Sequence, residues 1–330
     1  MHWTELPQGG CRPLQRSSHT LTACDGKVYL FGGEHEPRKP IDSQIHRYDL
    51  NSGVWELLQT NGTPPTPRVA TSAAAVGGKI YYFGGRSGVD MAEGPLNDLH
   101  VFDTASAAWR AVGARGTPPT PRSFHASAVV GSRMFVFGGC GAAGRLNDLW
   151  VFDTDAETWE QMPSSPAVVG RGGPGLAALP DGSLYVVGGF CGHELGDVHR
   201  FDAAAQRWDC PSCCGETGAE GENPLPPRSV FGLSLHACGS CAHDSHLVLF
   251  GGEVTPSDKG HAGAGNFTNA ALSFDAAKPE LGWRPLAADG AVPSPRGWFA
   301  SAAVSDGILV HGGNSPSNER LGDLHLLHLH

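Results

Sequence analysis

Apolar residues along this chain fall into short runs, and six of those runs end on the same Gly-Gly pair. The runs are Val28-Tyr29-Leu30-Phe31, Ile80-Tyr81-Tyr82-Phe83, Met134-Phe135-Val136-Phe137, Leu184-Tyr185-Val186-Val187, Leu247-Val248-Leu249-Phe250 and Ile308-Leu309-Val310-His311. The pairs Gly32-Gly33, Gly84-Gly85, Gly138-Gly139, Gly188-Gly189, Gly251-Gly252 and Gly312-Gly313 follow them at intervals of 50 to 63 residues. Runs of four, rich in β-branched and aromatic residues, predict buried strands. After most pairs comes an aromatic-Asp step with a Trp beyond it: Tyr48-Asp49 with Trp55, Phe102-Asp103 with Trp109, Phe152-Asp153 with Trp159, Phe201-Asp202 with Trp208 and Phe274-Asp275 with Trp283. The Asp ends a third strand in a turn. The Trp opens a fourth and supplies apolar area between neighbouring units.

An Arg opens the first strand of every unit: Arg16, Arg68, Arg122, Arg171, Arg228 and Arg296. One guanidinium per unit suits carbonyl groups near a common axis. The last unit ends at Leu324-His325-Leu326-Leu327 with no Trp after it, while Trp3-Thr4-Glu5-Leu6 mirrors Trp55-Glu56-Leu57-Leu58. The N-terminus therefore supplies the missing outer strand. The expectation is an all-β, six-bladed propeller over residues 1–330, a single domain closed by its N-terminal strand, which leaves only short, protected edges.

Composition narrows the function. The 46 Gly and 25 Pro among 330 residues fit many short strands joined by tight turns. A net charge of −10 lacks the basic footprint of a nucleic-acid binder. No stretch approaches the length of an apolar membrane span. The N-terminus carries no secretory pattern, so the nine Cys are expected as free thiols in the cytoplasm, with the nucleus as the alternative. Two Cys-x-x-C pairs, Cys210 with Cys213 and Cys238 with Cys241, fall in an insertion around 209–244. They are open to a structural zinc, a disulfide or free thiols. His193-Glu194 with Asp197 and His199 resembles a metal cluster. Yet Asp197 and His199 occupy the same repeat positions as Asp98 and His100, so the repeat accounts for them.

The Gly-Gly, aromatic-Asp and Trp pattern, repeating at about 50 residues, identifies the chain as a member of the kelch superfamily. Those propellers are mostly protein-interaction platforms, with some enzymes among them. A narrower resemblance covers essentially the whole chain. Arg122-Ser123-Phe124-His125, Phe137-Gly138-Gly139-Cys140-Gly141, Arg145-Leu146-Asn147-Asp148-Leu149-Trp150, Gly170-Arg171-Gly172-Gly173-Pro174-Gly175 and Gly312-Gly313-Asn314-Ser315-Pro316-Ser317-Asn318 resemble the plant specifier proteins. That family acts with Fe(II) on the aglucone that myrosinase releases from glucosinolates. It diverts the aglucone from isothiocyanate to nitrile, epithionitrile or thiocyanate.

The resemblance implies an iron site in the Glu-x-x-x-Asp-x-x-x-His motif after the fifth Gly-Gly. Here that stretch runs from Glu253 to His261, with Ser257 in the middle position and Asp258 one place later. Glu253, Asp258 and His261 are the implied Fe(II) ligands. Arg86 and Arg145 are implied to hold the anionic sulfur ligand, and Trp298 to line its pocket. Two readings follow: a specifier-like enzyme, or a non-catalytic platform whose loop face binds a protein or a small molecule.

Overall fold

The computed structural model describes residues 1–88, 94–211, 225–237 and 245–329, and they form six antiparallel blades around one axis, with a separate two-stranded sheet of Glu253–Thr255 and Asn266–Phe267. In blade three the strands run Ala126–Val130, Arg133–Gly141, Gly144–Asp153 and Thr158–Gln161, each paired with the next in sequence. The other blades repeat this order from axis to rim. The innermost strand of every blade touches those of its two neighbours, from Thr20–Cys24 round to Ala300–Val304 and back to the first. Among the described residues there is no α-helix, only the single 3₁₀ turns Gly260–Ala262 and Pro279–Leu281.

Blade six takes its outer strand from the other end of the chain. His2–Glu5 pairs antiparallel with Arg320–His328, Trp3 opposite Leu327. Trp3 is buried with Phe250, Phe299 and Val310, so this strand also fills the seam between blades five and six. Three connections add a further stitch. Gly9–Gly10, Asn61–Gly62 and Asp289–Gly290 each lie parallel to the outer strand of the blade they lead into.

The core lies between blades. Phe135, Phe137 and Val151 of blade three pack on Leu176, Leu184 and Phe201 of blade four, and comparable clusters fill the other seams. Polar groups hold the axial end. Each blade-opening Arg is buried and donates from Nη1 to the first Gly carbonyl of its own blade, as Arg68 does to Gly84 O at 3.0 Å. The second Gly donates its N–H to the carbonyl of the next blade's Arg, as Gly85 does to Arg122 at 2.9 Å. Gly84 and Gly85 stand at φ +60° and +93°, and a Cβ on Gly84 would meet Arg122 O at 2.8 Å. Gly-Gly is thus the joint through which one blade's Arg reaches the next blade.

Four of these arginines also hold an Asp through both Nη atoms: Arg68 with Asp98, Arg122 with Asp148, Arg171 with Asp197 and Arg296 with Asp323. Blades one and five have Gln44 and Ala270 at that register. Burial lowers both Arg16 and Arg228 to about 10. These same two blades carry long connections between their second and third strands. Those connections cover one end of the axis.

Candidate functional site

A second ring of hydrogen bonds sits where the blades converge. Ser18 N–H donates to Trp298 O, Trp298 to Val230, Val230 to Gly173, Gly173 to Phe124, Phe124 to Ala70, and Ala70 back to Ser18, all at 2.8–3.1 Å. All six residues have φ between +49° and +58°. A β-branched valine there is an outlier, and such strain persists only where the surroundings enforce it. Closure of the ring enforces it. The side chains of these six residues consequently crowd around the axis, and they differ in size: Ser18, Ala70 and Gly173 are small, whereas Phe124, Val230 and Trp298 are large.

Above the large half of this ring lies a cavity of about 260 Å³, lined by Phe124, Gly173, Val230 and Trp298 below. Its walls are the residues that follow Gly-Gly, Cys140, Phe190 and Glu253, together with Arg145. The long connection of blade one adds Arg38, and that of blade five adds Pro256, Ser257 and Gly260. Arg145 lies over the Phe190 ring, its Cζ 4.6 Å from the centroid, which holds the guanidinium against an apolar face. Trp298 meets Phe267 edge-on at 5.4 Å.

The cavity holds charge of both signs. Arg86 is buried beside it, donating from Nη2 to Gly88 O, and it acts with Arg145 on Cys140, drawing the thiol down while burial pushes it up more strongly. Glu253 is raised to about 7 by burial, with the backbone N–H groups of Ser257 and Gly265 opposing. Glu194, opening the third strand of blade four, is likewise raised to about 7 by burial. Ser229 and Arg145 oppose the shift and the Glu253 charge adds to it. Glu34 takes the place of Glu253 in blade one. It is buried and satisfied by the Ser17 and Ser18 hydroxyls, the Arg38 N–H and Arg320.

The expected residues are brought together in part. Arg145, Trp298 and Glu253 share the axial cavity, and Arg86 adjoins it. Asp258 is exposed and lines a separate outer cleft of about 520 Å³, with Thr255, Lys259, Asn266 and Asn318. His261 stands on the turn Gly260–Ala262. Glu253 and Asp258 open on different cavities, and among the described residues no three His, Cys, Asp or Glu groups converge. The side chain of His261 lies outside the described residues. Asp197 and His199 bond each other, and Asp197 serves Arg171. Cys210 is exposed, with its Sγ 3.8 Å from Val198 O, and its three proposed partners, Cys213, Cys238 and Cys241, lie outside the described residues. Arg38, Phe190 and Ser229 were not singled out from the sequence. Comparing the residue after each Gly-Gly, namely Glu34, Arg86, Cys140, Phe190, Glu253 and Asn314, would have outlined the wall.

A model of the KLHDC2/KLHL20/DRC7 Kelch-repeats domain matches residues 18–237. The chain belongs to the kelch-repeat family. This kelch propeller is similar to the N-(sulfonatooxy)prop-2-enimidothioate sulfolyase of Thlaspi arvense, at 29% identity over 98% of this chain and 95% of that protein. It is also similar to Kelch domain-containing protein 3 of Homo sapiens, at 28% identity over 98% of this chain and 70% of that protein. The solved structure of YjhT superposes with a TM-score of 0.71 at 14% identity, covering 95% of both chains, which supports the fold.

Proposed function

We propose that this kelch propeller binds a small O-sulfated organic anion in its axial cavity and acts on it as a specifier-type sulfolyase. The observation that carries the reading is Arg145, held over Phe190 on the wall of a cavity floored by Phe124, Val230 and Trp298. The aromatic and apolar floor suits the carbon chain of an N-sulfonatooxy imidothioate. A guanidinium gives its sulfate paired, charge-assisted hydrogen bonds. As the N–O bond breaks, its electron pair leaves with the sulfate, and the C–S bond pair becomes the third C–N bond of the nitrile. Sulfur departs at the zero oxidation level, free or onto the substrate's alkene. Arg145 with Arg86 behind it stabilises the charge growing on the sulfate. Burial pushes the Glu253 carboxyl up to about 7, which favours its acid form. In that form it donates a hydrogen bond to the anion instead of repelling it.

Allyl glucosinolate and myrosinase, with this protein present, should yield nitrile, epithionitrile or thiocyanate beside isothiocyanate, measured by gas chromatography. Arg145→Ala should return the products to isothiocyanate. Isothiocyanate alone from the unaltered protein, with and without added Fe(II), would sink the reading. It would leave the second one, a protein-binding platform, which the wide polar cleft between the connections of blades five and six favours.

A further inference from the structure

Arg38 occupies a turn position that rarely carries a side chain of its size. Lys39 N–H donates to Glu36 O at 3.1 Å and closes the turn, with Pro37 second and Arg38 third. Arg38 stands at φ +64°, a third-position conformation that normally takes Gly or Asn. Its surroundings enforce that strain. Arg38 N–H donates to Glu34 Oε2, and Glu34 is itself fixed by the Ser17 and Ser18 hydroxyls and by Arg320. The result is a half-buried Arg38 that lines the axial cavity from blade one. Its guanidinium has no work within the fold. Among the described residues its Nε is shut off from solvent without a hydrogen-bond partner, and no carboxylate forms a salt bridge with it. The blade-opening arginines supply the contrast, since each donates to a Gly carbonyl and four also hold an Asp. Buried donors are nearly always paired, so a strained backbone that presents an unpaired one to a cavity points to an acceptor in that cavity.

We propose that the axial cavity takes a small organic dianion, with one anionic group on Arg145 and the other on Arg38. Both guanidiniums line the cavity, and they come from blades that are not neighbours. Each can give an anionic group charge-assisted hydrogen bonds in a forked geometry. Phe124, Val230 and Trp298 floor the space for the carbon chain. A chain of net charge −10 repels a second negative charge at long range. A preference for two charges over one therefore has to come from local cations, and Arg38 is the one whose donors the fold leaves open. The inference rests on the axial cavity as a ligand site, but not on which dianion fills it. Under the sulfolyase reading the dianion is the imidothioate, whose sulfate and thiolate are its two charges. Arg38 then positions the thiolate end.

The test is calorimetric titration of the full chain, at one fixed ionic strength, with ethane-, propane- and butane-α,ω-disulfonate. Each is compared with the monosulfonate of the same carbon count. The best-fitting disulfonate should bind on the order of tenfold more tightly than its monosulfonate, as one added charge-assisted hydrogen-bonded pair allows. Arg38→Gly suits the positive φ and removes only the side chain. It should erase that preference and leave monosulfonate affinity unchanged. Arg38→Lys, which keeps the charge but not the fork, should keep part of the preference, and Arg145→Ala should weaken both ligands. Equal affinity of the unaltered protein for one and two charges, binding of neither, or a preference that survives in Arg38→Gly would each overturn the inference. Loss of monosulfonate binding in Arg38→Gly would show a structural role alone and overturn it too. A disulfonate preference in a protein that yields only isothiocyanate would keep this inference and sink the sulfolyase reading. Product diversion without a disulfonate preference would do the reverse.

Discussion

The axial end of each blade is held by side chains that the apolar core cannot satisfy. A guanidinium buried at 0–3% exposure is stable only with its donors used, and the Gly carbonyl and, in four blades, an Asp use them. Histidines share this environment. His311 and His125 are driven to about 3 and His46 to about 4, in each case mainly by burial, and His19 is driven down by burial and by His311, to which it is bonded at 3.0 Å. All four are neutral in the fold and take up a proton on unfolding below about pH 6.5. The unfolded chain then binds more protons, so stability falls as pH drops from 6.5 towards 4. Glu194 and Glu253 work in the opposite sense between pH 4.5 and about 7, since the folded chain holds their protons, but two groups do not cancel four. The melting temperature should therefore fall from pH 6.5 to pH 4.5. His125→Asn should flatten that slope by about one proton, or about 1.4 kcal/mol per pH unit. An unchanged slope would show that His125 is protonated in the fold. These histidines were legible as repeat positions, because His19 and His125 both follow the blade-opening Arg by three. Their depth was not, since it depends on the neighbouring blade.

At the scale of strands, the sequence shows most where structure is local and periodic. The six Gly-Gly strands, the aromatic-Asp turns and the Trp-led outer strands each repeat a short pattern. The closing N-terminal strand was readable because Trp3-Thr4-Glu5-Leu6 repeats one of them. The two-residue stitches at Gly9–Gly10, Asn61–Gly62 and Asp289–Gly290 were not readable, because their partners are set by blade order. The loop from Glu253 to His261 was legible only in part. It has no strand period to fix which way a side chain points, and Asp258 faces outward. The N-terminal strand carries a testable consequence. Trp3 is 1% exposed and packs on Phe250 at 4.9 Å, across the seam between blades five and six. Trp3→Ala should cost about 3–5 kcal/mol in denaturant unfolding. It should also uncover Leu327 and the edge of Arg320–His328, so aggregation on heating should rise. The exposed Val54 is a control whose replacement by Ala should change little. Equal effects of both substitutions would mean that the closing strand contributes no more than any surface strand.

For the molecule as a whole, the axis is the point at which one residue from each blade meets in the ring of hydrogen bonds. The ring is symmetric in its backbone and asymmetric in its side chains, and the cavity lies over its larger residues. The sequence held the ring only implicitly, as the second residue after each Arg, because nothing in Ser18, Ala70 or Val230 announces a left-handed backbone. Gly173 is the gap between the large residues Phe124 and Val230, and it lines the floor of the cavity. A Cβ there would stand 2.7 Å from Val230 Cγ1, at φ +58°. Gly173→Ala should cost about 1–2 kcal/mol of stability for the left-handed alanine and press Val230 into the cavity. The sulfolyase and the platform readings now part. A ligand seated on the axis loses room, so product diversion from glucosinolate should fall while Arg145 is untouched. A protein partner on the outer cleft meets Thr255, Lys259 and Asn318, which lie away from the floor, and its binding should be unaffected. Full product diversion by a folded Gly173→Ala protein would therefore place the ligand off the axis.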